Sequence, residues 1–130
     1  MNERILVVDD EESIRQLALK WLKRAGYQGL EAPNALKGLE VAENERPDVV
    51  VTDYRMSGMD GCDFAEQLRF YRRYKCKIIL MSGNPADAYA DHSYLRADFD
   101  LYFDAFLQKP ISKDKFIDSI GSVLTSPQSQ

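Results

Sequence analysis

Three short stretches of the chain are apolar almost without a break: "RILVV" (4–8), "DVVVTD" (48–53) and "KIILMS" (77–82). Runs of this length and uniformity predict strands buried on both faces. Two weaker runs, "YQGLEA" (27–32) and "FDAFLQ" (103–108), mix polar letters in and predict strands at the edges of a sheet. Between them the period changes. Ile14, Leu17, Ala18, Trp21, Leu22 and Ala25 repeat at helical spacing, with the acids Asp10, Glu11 and Glu12 at the start and Gly26 at the stop. Asn34 can cap a second helix with Leu36, Leu39 and Ala42 on its inner side, closed by Pro47. Asp60 can cap a third on Phe64, Leu68 and Tyr71. Ser112 can cap a last one on Phe116, Ile117, Ile120, Val123 and Leu124, with Gly121 inside it. Residues 86–102 hold Tyr89, Tyr94, Leu95, Phe99 and Leu101 without a clean period.

Strand and helix thus alternate five times, which predicts an α/β fold: a five-stranded parallel sheet with helices on both faces, joined by right-handed crossovers. The uniformly apolar first, third and fourth strands belong in the centre. The order 2-1-3-4-5, one of the two common orders of doubly wound sheets, satisfies this.

Composition adds bounds. With 130 residues the chain predicts one domain, over 1–125, followed by a polar tail or the start of a linker at 126–130. A net charge of −4 argues against direct binding of nucleic acid and leaves a phosphorylated small molecule or a basic partner open. Cys62 and Cys76 form no CxxC pair, and no apolar run approaches the length of a membrane helix, so a cytoplasmic protein without membrane contact is expected.

In a parallel sheet all strands end on one rim. Here that rim receives Asp9 and Asp10 from the first strand, Asp53 from the third, Ser82 from the fourth and Lys109 from the fifth. Each has a plain explanation alone: Asp9 and Asp10 as helix caps, Asp53 and Ser82 as turn formers, Lys109 as a solvated cation. What sets the plain readings aside is that five separate turns would place compatible groups on one rim, where doubly wound sheets bind ligands. Two carboxylates about 4 Å apart repel by roughly 4 kcal/mol at an effective dielectric near 20, so the cluster calls for protons or cations. Lys109 is one cation. Hard oxygen donors without His or Cys favour Mg²⁺ as another, and Mg²⁺ keeps sites open for phosphate oxygens. The rim therefore suits phosphoryl transfer with an aspartate as nucleophile.

"ILVVDDEES", "VVTDYRMSGMDG", "IILMSGN" and "FLQKP", in that order, resemble the CheY-like receiver domain of bacterial two-component response regulators, and the resemblance spans nearly the whole chain. It implies a flavodoxin-like three-layer (βα)5 sandwich. It implies that Asp53 accepts a phosphoryl group from a sensor histidine kinase or histidine phosphotransfer protein, and that this changes the face made by the fourth helix, fifth strand and fifth helix. That face would act on a partner, an output domain or, after phosphorylation, a second copy. Asp10, Asp53 and the backbone carbonyl of Arg55 would ligate Mg²⁺, and Asp9 would shape its water shell. Lys109 would pair with Asp53, Ser82 would contact a phosphoryl oxygen, and Phe106 would take the place of the switch aromatic. Lys109–Pro110 resembles the family's cis peptide. Such a module works on itself and is not an enzyme with an external substrate.

The sequence also departs from the family. Ser57 stands where proline is usual, which implies a looser loop after Asp53. The stretch from Ser82 to Lys109 is longer than the family's, and "FDLYFDAF" (99–106) replaces the usual Gly-Ala step. Phe106 lacks the hydroxyl of the tyrosine often found there. These departures keep a second reading open: a receiver-like interaction module that never cycles phosphate. A third, a Mg²⁺-dependent phosphohydrolase of the haloacid-dehalogenase type, needs an acid two residues after the nucleophile, where this chain has Arg55. Arg69, Arg72, Arg73, Lys75 and Lys77 read as a solvated helix end, His92 as a surface residue, Tyr89, Tyr94 and Tyr102 as packing groups, and both cysteines as inert.

Overall fold

A computed structural model describes residues 2–71, 75–84 and 101–126. Five strands form one parallel sheet: β1 Arg4–Val8, β2 Gln28–Ala32, β3 Val49–Asp53, β4 Lys77–Ser82 and β5 Ala105–Gln108, in the order β2-β1-β3-β4-β5. Among the described residues there are four α-helices: α1 Glu12–Arg24, α2 Ala35–Glu45, α3 Gly61–Glu66, which runs into a π-helical turn at Gln67–Tyr71, and a C-terminal helix at Lys113–Thr125. The expected sheet, strand order and edge strands are observed. The readings for Tyr89, His92 and Tyr94, for Arg72 and Arg73, and for the helix between β4 and β5 up to residue 100 lie outside the described residues.

The core follows the pleat. Leu6, Val8, Val50, Ile78 and Leu80 point to one face of the sheet, where Ala35, Leu39 and Ala42 of α2 and Phe64 and Ala65 of α3 cover them. Ile5, Val7, Val49, Val51, Ile79 and Met81 point to the other, under Ala18 and Leu22 of α1 and Phe116, Ile120 and Val123 of the C-terminal helix. β1, β3 and β4 are buried on both faces for this reason, as their unbroken apolar letters require. The predicted caps form: Asn34 Oδ1 accepts from the Lys37 N–H, Asp60 Oδ1 from Asp63, and Ser112 Oγ from Lys115.

The inner faces of two helices are turned from the expected ones. Leu17 and Ala25 point outward and Leu19 packs against the core instead, while Trp21 packs there as expected. Leu36 is 72% exposed, while Ala35, Gly38, Leu39 and Ala42 form the buried stripe of α2. The reason is close packing: a Cβ on Gly38 would lie 2.9 Å from Phe64 Cζ, so this face is written in small residues that an apolar pattern passes over.

Arg69 and Lys77 are not solvated, contrary to expectation. Arg69 donates to the carbonyls of Tyr102 (3.1 Å) and Cys76 (2.7 Å) and to Asp104 Oδ2 (2.7 Å), which also accepts the Ile78 N–H. The ion pair is largely sheltered, with 17% and 18% of the two side chains exposed. Lys77 is buried and its Nζ reaches the Ser126 carbonyl at 3.4 Å. Where the usual Gly-Ala step is missing, Phe103 fills the core and Tyr102 stacks edge-on against Phe103 and Phe70, so Tyr102 is a packing group as read. Burial pushes the Cys76 thiol up to about 12, which keeps it inert.

Gly121→Ala is expected to stabilise the fold by about 1 kcal/mol, because alanine favours a helix interior and its Cβ would meet only the Tyr27 hydroxyl, at 4.0 Å. Arg69→Met is expected to cost about 3 kcal/mol, since it leaves the Asp104 carboxylate without its sheltered cation. Urea unfolding midpoints measure both.

Candidate functional site

The carboxyl ends of four strands meet above the sheet. The chain leaves β1 into Asp9, whose N–H donates to the Ala32 carbonyl at the end of β2. Asp9 Oδ1 accepts the Glu11 N–H at 2.9 Å, which ties the turn ahead of α1; the N-cap of that helix is Glu11, without a side-chain cap, so neither Asp9 nor Asp10 caps it. Asp53 closes β3. Ser82 closes β4, is buried, and accepts the Asn84 N–H on its Oγ. Lys109 follows β5, and its N–H donates to the Ser82 carbonyl at 2.8 Å, which fixes where its side chain starts. The Lys109–Pro110 peptide is cis, as the resemblance implied.

Lys109 Nζ lies 3.0 Å from Asp9 Oδ2 and 3.2 Å from Asp53 Oδ1. Asp9 is fully buried, Asp53 nearly so, and Asp10 is exposed. Oxygens of Asp9, Asp10 and Asp53 lie within 4.8 Å of one another. The donor set fits a hard divalent cation: three carboxylates, no sulfur and no imidazole. Both oxygens of Asp9 already accept hydrogen bonds, so Asp10 and Asp53 are the better placed to ligate directly. Arg55 shares an open depression of about 390 Å³ with Asp10, Tyr54, Met56, Ser57 and Asp60. Its guanidinium lies over the Tyr54 ring, 5.6 Å from the centroid.

The two glycines after Asp53 have separate tasks. Gly58 takes φ +82°, which a side chain would resist, and lies next to Ser57. Gly61 sits under the end of β3: its N–H donates to the Tyr54 carbonyl at 2.8 Å, and a Cβ there would fall 2.6 Å from the Asp53 carbonyl oxygen. The loop can close on the strand only without that carbon. Phe106 is half-buried against the core that faces α2 and α3.

All of the sequence-read rim residues therefore converge. Four contributors were missed: Thr52, buried and donating to the Asp53 carbonyl; Tyr54, buried beside it; Gly61; and Arg15, which donates to the Asp9 carbonyl. Gly61 alone had a legible signal, the second glycine in "SGMDG".

Burial, and next the charge of Asp9, push the Asp53 carboxyl up from 3.8 to about 6; Lys109 pulls it down by charge and hydrogen bond, and Asp10 adds to the rise. For Lys109, burial favours the neutral amine. The hydrogen bond to Asp9 and the charges of Asp53 and Asp9 outweigh it, and the net shift is upward.

The Asp53 shift has a sign that can be measured. An unfolded chain gives up this proton near 3.8 and the folded one near 6, so the native state holds more protons in that window and loses stability as pH rises through it. Above about 6 the whole cost is present, on the order of 3 kcal/mol at 1.36 kcal/mol per pH unit. In magnesium-free buffer Asp53→Asn is thus expected to be more stable than the wild type by up to about that amount at pH 8. The gain should shrink as pH falls below about 6 and vanish near 3.8, as followed by urea unfolding.

Comparison with known proteins places this geometry in a family. The response regulator receiver domain model matches residues 5–121. Sporulation initiation phosphotransferase F of Bacillus subtilis (strain 168) is 31% identical over 124 residues, covering 95% of each chain. The alkaline phosphatase synthesis transcriptional regulatory protein PhoP of the same organism is 45% identical over 69 residues, which is 53% of this chain and 29% of that one. The sensory/regulatory protein RpfC of Xanthomonas campestris pv. campestris is 31% identical over 127 residues, 95% of this chain but 17% of its own. The chain thus spans nearly all of the first relative and less than a third of the other two. Among solved structures, the chemotaxis response regulator CheY4 of Vibrio cholerae superposes with a TM-score of 0.82 at 25% identity, covering 95% of this chain and 99% of that one. With the rim assembled as the motifs demand and the family model covering most of its length, the chain belongs to the receiver domains of response regulators.

Proposed function

We propose that this receiver domain is a phosphoacceptor switch in which Asp53 takes a phosphoryl group from a phosphohistidine on a sensor kinase or phosphotransfer protein. The observation that carries the reading is the lysine shared by two buried carboxylates, 3.0 and 3.2 Å away, with a third carboxylate beside them. In the transfer an Asp53 carboxylate oxygen attacks phosphorus, the N–P bond breaks, and the imidazole leaves with the electron pair. The product is an acyl phosphate. Asp10, Asp53 and the Arg55 carbonyl would hold Mg²⁺, with Asp9 ordering its waters. The ion supplies positive charge against the phosphoryl oxygens. Lys109, already held at Asp53 Oδ1, has a second partner in Asp9 and can follow the charge as it moves onto the phosphoryl group. The Ser82 hydroxyl offers a donor to another phosphoryl oxygen.

Phosphorylation places roughly two negative charges on the rim. Ser82 and Lys109 are drawn toward them, and Phe106, half-buried next to β4, repacks without a hydroxyl to guide it. The face formed by β5 and the C-terminal helix then changes its fit to an output domain, a partner or a second copy. The chemistry is done by the domain on itself, both the capture and the slow hydrolysis. No described helix is long and apolar enough to cross a membrane, and the free, buried Cys76 suits a reducing cytoplasm.

Incubation with acetyl phosphate and Mg²⁺ is expected to add one phosphoryl mass to the intact wild-type chain. Asp53→Asn should gain none, and chelation of Mg²⁺ should reduce the gain to background. No gain with any donor, including a phosphorylated histidine protein, would favour an interaction module that does not cycle phosphate.

A further inference from the structure

The turn between β1 and α1 carries two of the three rim acids, and a side chain one helical turn on holds it in place. Arg15 Nη1 donates to the Asp9 carbonyl at 2.9 Å, and its Nε donates to Glu31 Oε1 at 2.8 Å on the edge strand β2. Gln16 Nε2 approaches the same Glu31 oxygen at 3.4 Å. Only 13% of the Arg15 side chain is exposed, and it stands one turn before Ala18 and two before Leu22, on the buried face of α1. The remaining polar atoms of Asp9 are also engaged: its N–H with Ala32, Oδ1 with the Glu11 N–H, and Oδ2 with Lys109.

Asp10 comes next, and it is different. It is exposed, and among the described residues no hydrogen bond or ion pair holds its carboxylate. Its direction is set by the backbone of the turn, and that backbone is set at the Asp9 carbonyl by Arg15. On charge alone an arginine is a poor neighbour for a cation pocket, because it repels the cation. The Glu31 partner offsets that charge, and what remains is the rigid planar fork.

We infer that Arg15, oriented by Glu31, is a positioning residue for the rim: it fixes the Asp9 carbonyl and thereby presents the Asp10 carboxylate to a divalent cation. The inference rests on the magnesium role proposed for the site. Its sign separates it from a charge effect. Removing Arg15 would tighten Mg²⁺ if charge ruled, and weaken it if the fork holds the turn.

Isothermal titration of Mg²⁺ into the magnesium-free full chain tests this. Arg15→Met is expected to bind about tenfold more weakly, the low end of the loss seen when an outer partner of a metal ligand is removed. Arg15→Lys, which keeps the charge but cannot serve Asp9 and Glu31 with one planar group, should fall between Met and wild type. In the magnesium-free proteins, amide hydrogen exchange at Asp10 and Glu11 should quicken in both variants. Unchanged or tighter Mg²⁺ binding in Arg15→Met overturns the inference. If that variant fails to fold, wild-type affinity in Arg15→Lys overturns it equally. A wild type that binds no Mg²⁺ removes the proposed function itself, and this inference with it, whereas a wild type that binds and is phosphorylated beside an equally competent Arg15→Met removes the inference alone.

Discussion

Lys109 between Asp9 and Asp53 is the contact on which the rest of the site depends. Three strands deliver carboxylates and their lysine to one rim, and the sheet has no freedom to spread them, because the parallel register fixes every strand end. Repulsion among the acids is therefore built in. One ammonium reduces it without removing it, and the residue of that repulsion, together with burial, is visible in the raised Asp53 carboxyl. A rim left short of positive charge is one that a divalent cation or a change of charge on Asp53 can act upon.

Much of this was legible in the sequence because the physics of a doubly wound sheet converts position into proximity. Once "RILVV", "DVVVTD" and "KIILMS" are central parallel strands, the residues that follow them must be neighbours. The caps were legible for a similar reason: Asn34, Asp60 and Ser112 act within three residues of themselves.

What was not legible depends on contacts between distant segments. Arg69 looked like one of several solvated cations, and nothing local distinguishes it from Lys75, which is exposed. Its partner Asp104 lies on the far side of β4, and only the folded chain brings them together. Leu36 and Gly38 show the other limit. Apolar counting favours the leucine, but the space over Phe64 admits only the glycine, so the larger apolar residue faces solvent. Gly61 and Arg15 act on backbone carbonyls, which the sequence does not distinguish from one another.

The β4–β5 pair shows how the departures from the family pattern are absorbed. At the end away from the rim, Asp104 accepts from both Arg69 and the Ile78 N–H, and the Asp104 N–H donates to the Ile78 carbonyl. Phe103 fills the core where a small residue is usual. At the rim end the ladder runs to Ser82 and Gln108, and the Lys109 N–H adds a hydrogen bond to the Ser82 carbonyl. The far end is thus held by a sheltered ion pair and an aromatic anchor, and the rim end by groups that also face Asp53. A change of charge at Asp53 acts on the rim end, whose groups face it. In the proposed switch the anchored end keeps β5 in register while Ser82, Lys109 and Phe106 respond, so the replaced Gly-Ala step alters the far anchor and leaves the responsive end of the pair as the family motif writes it.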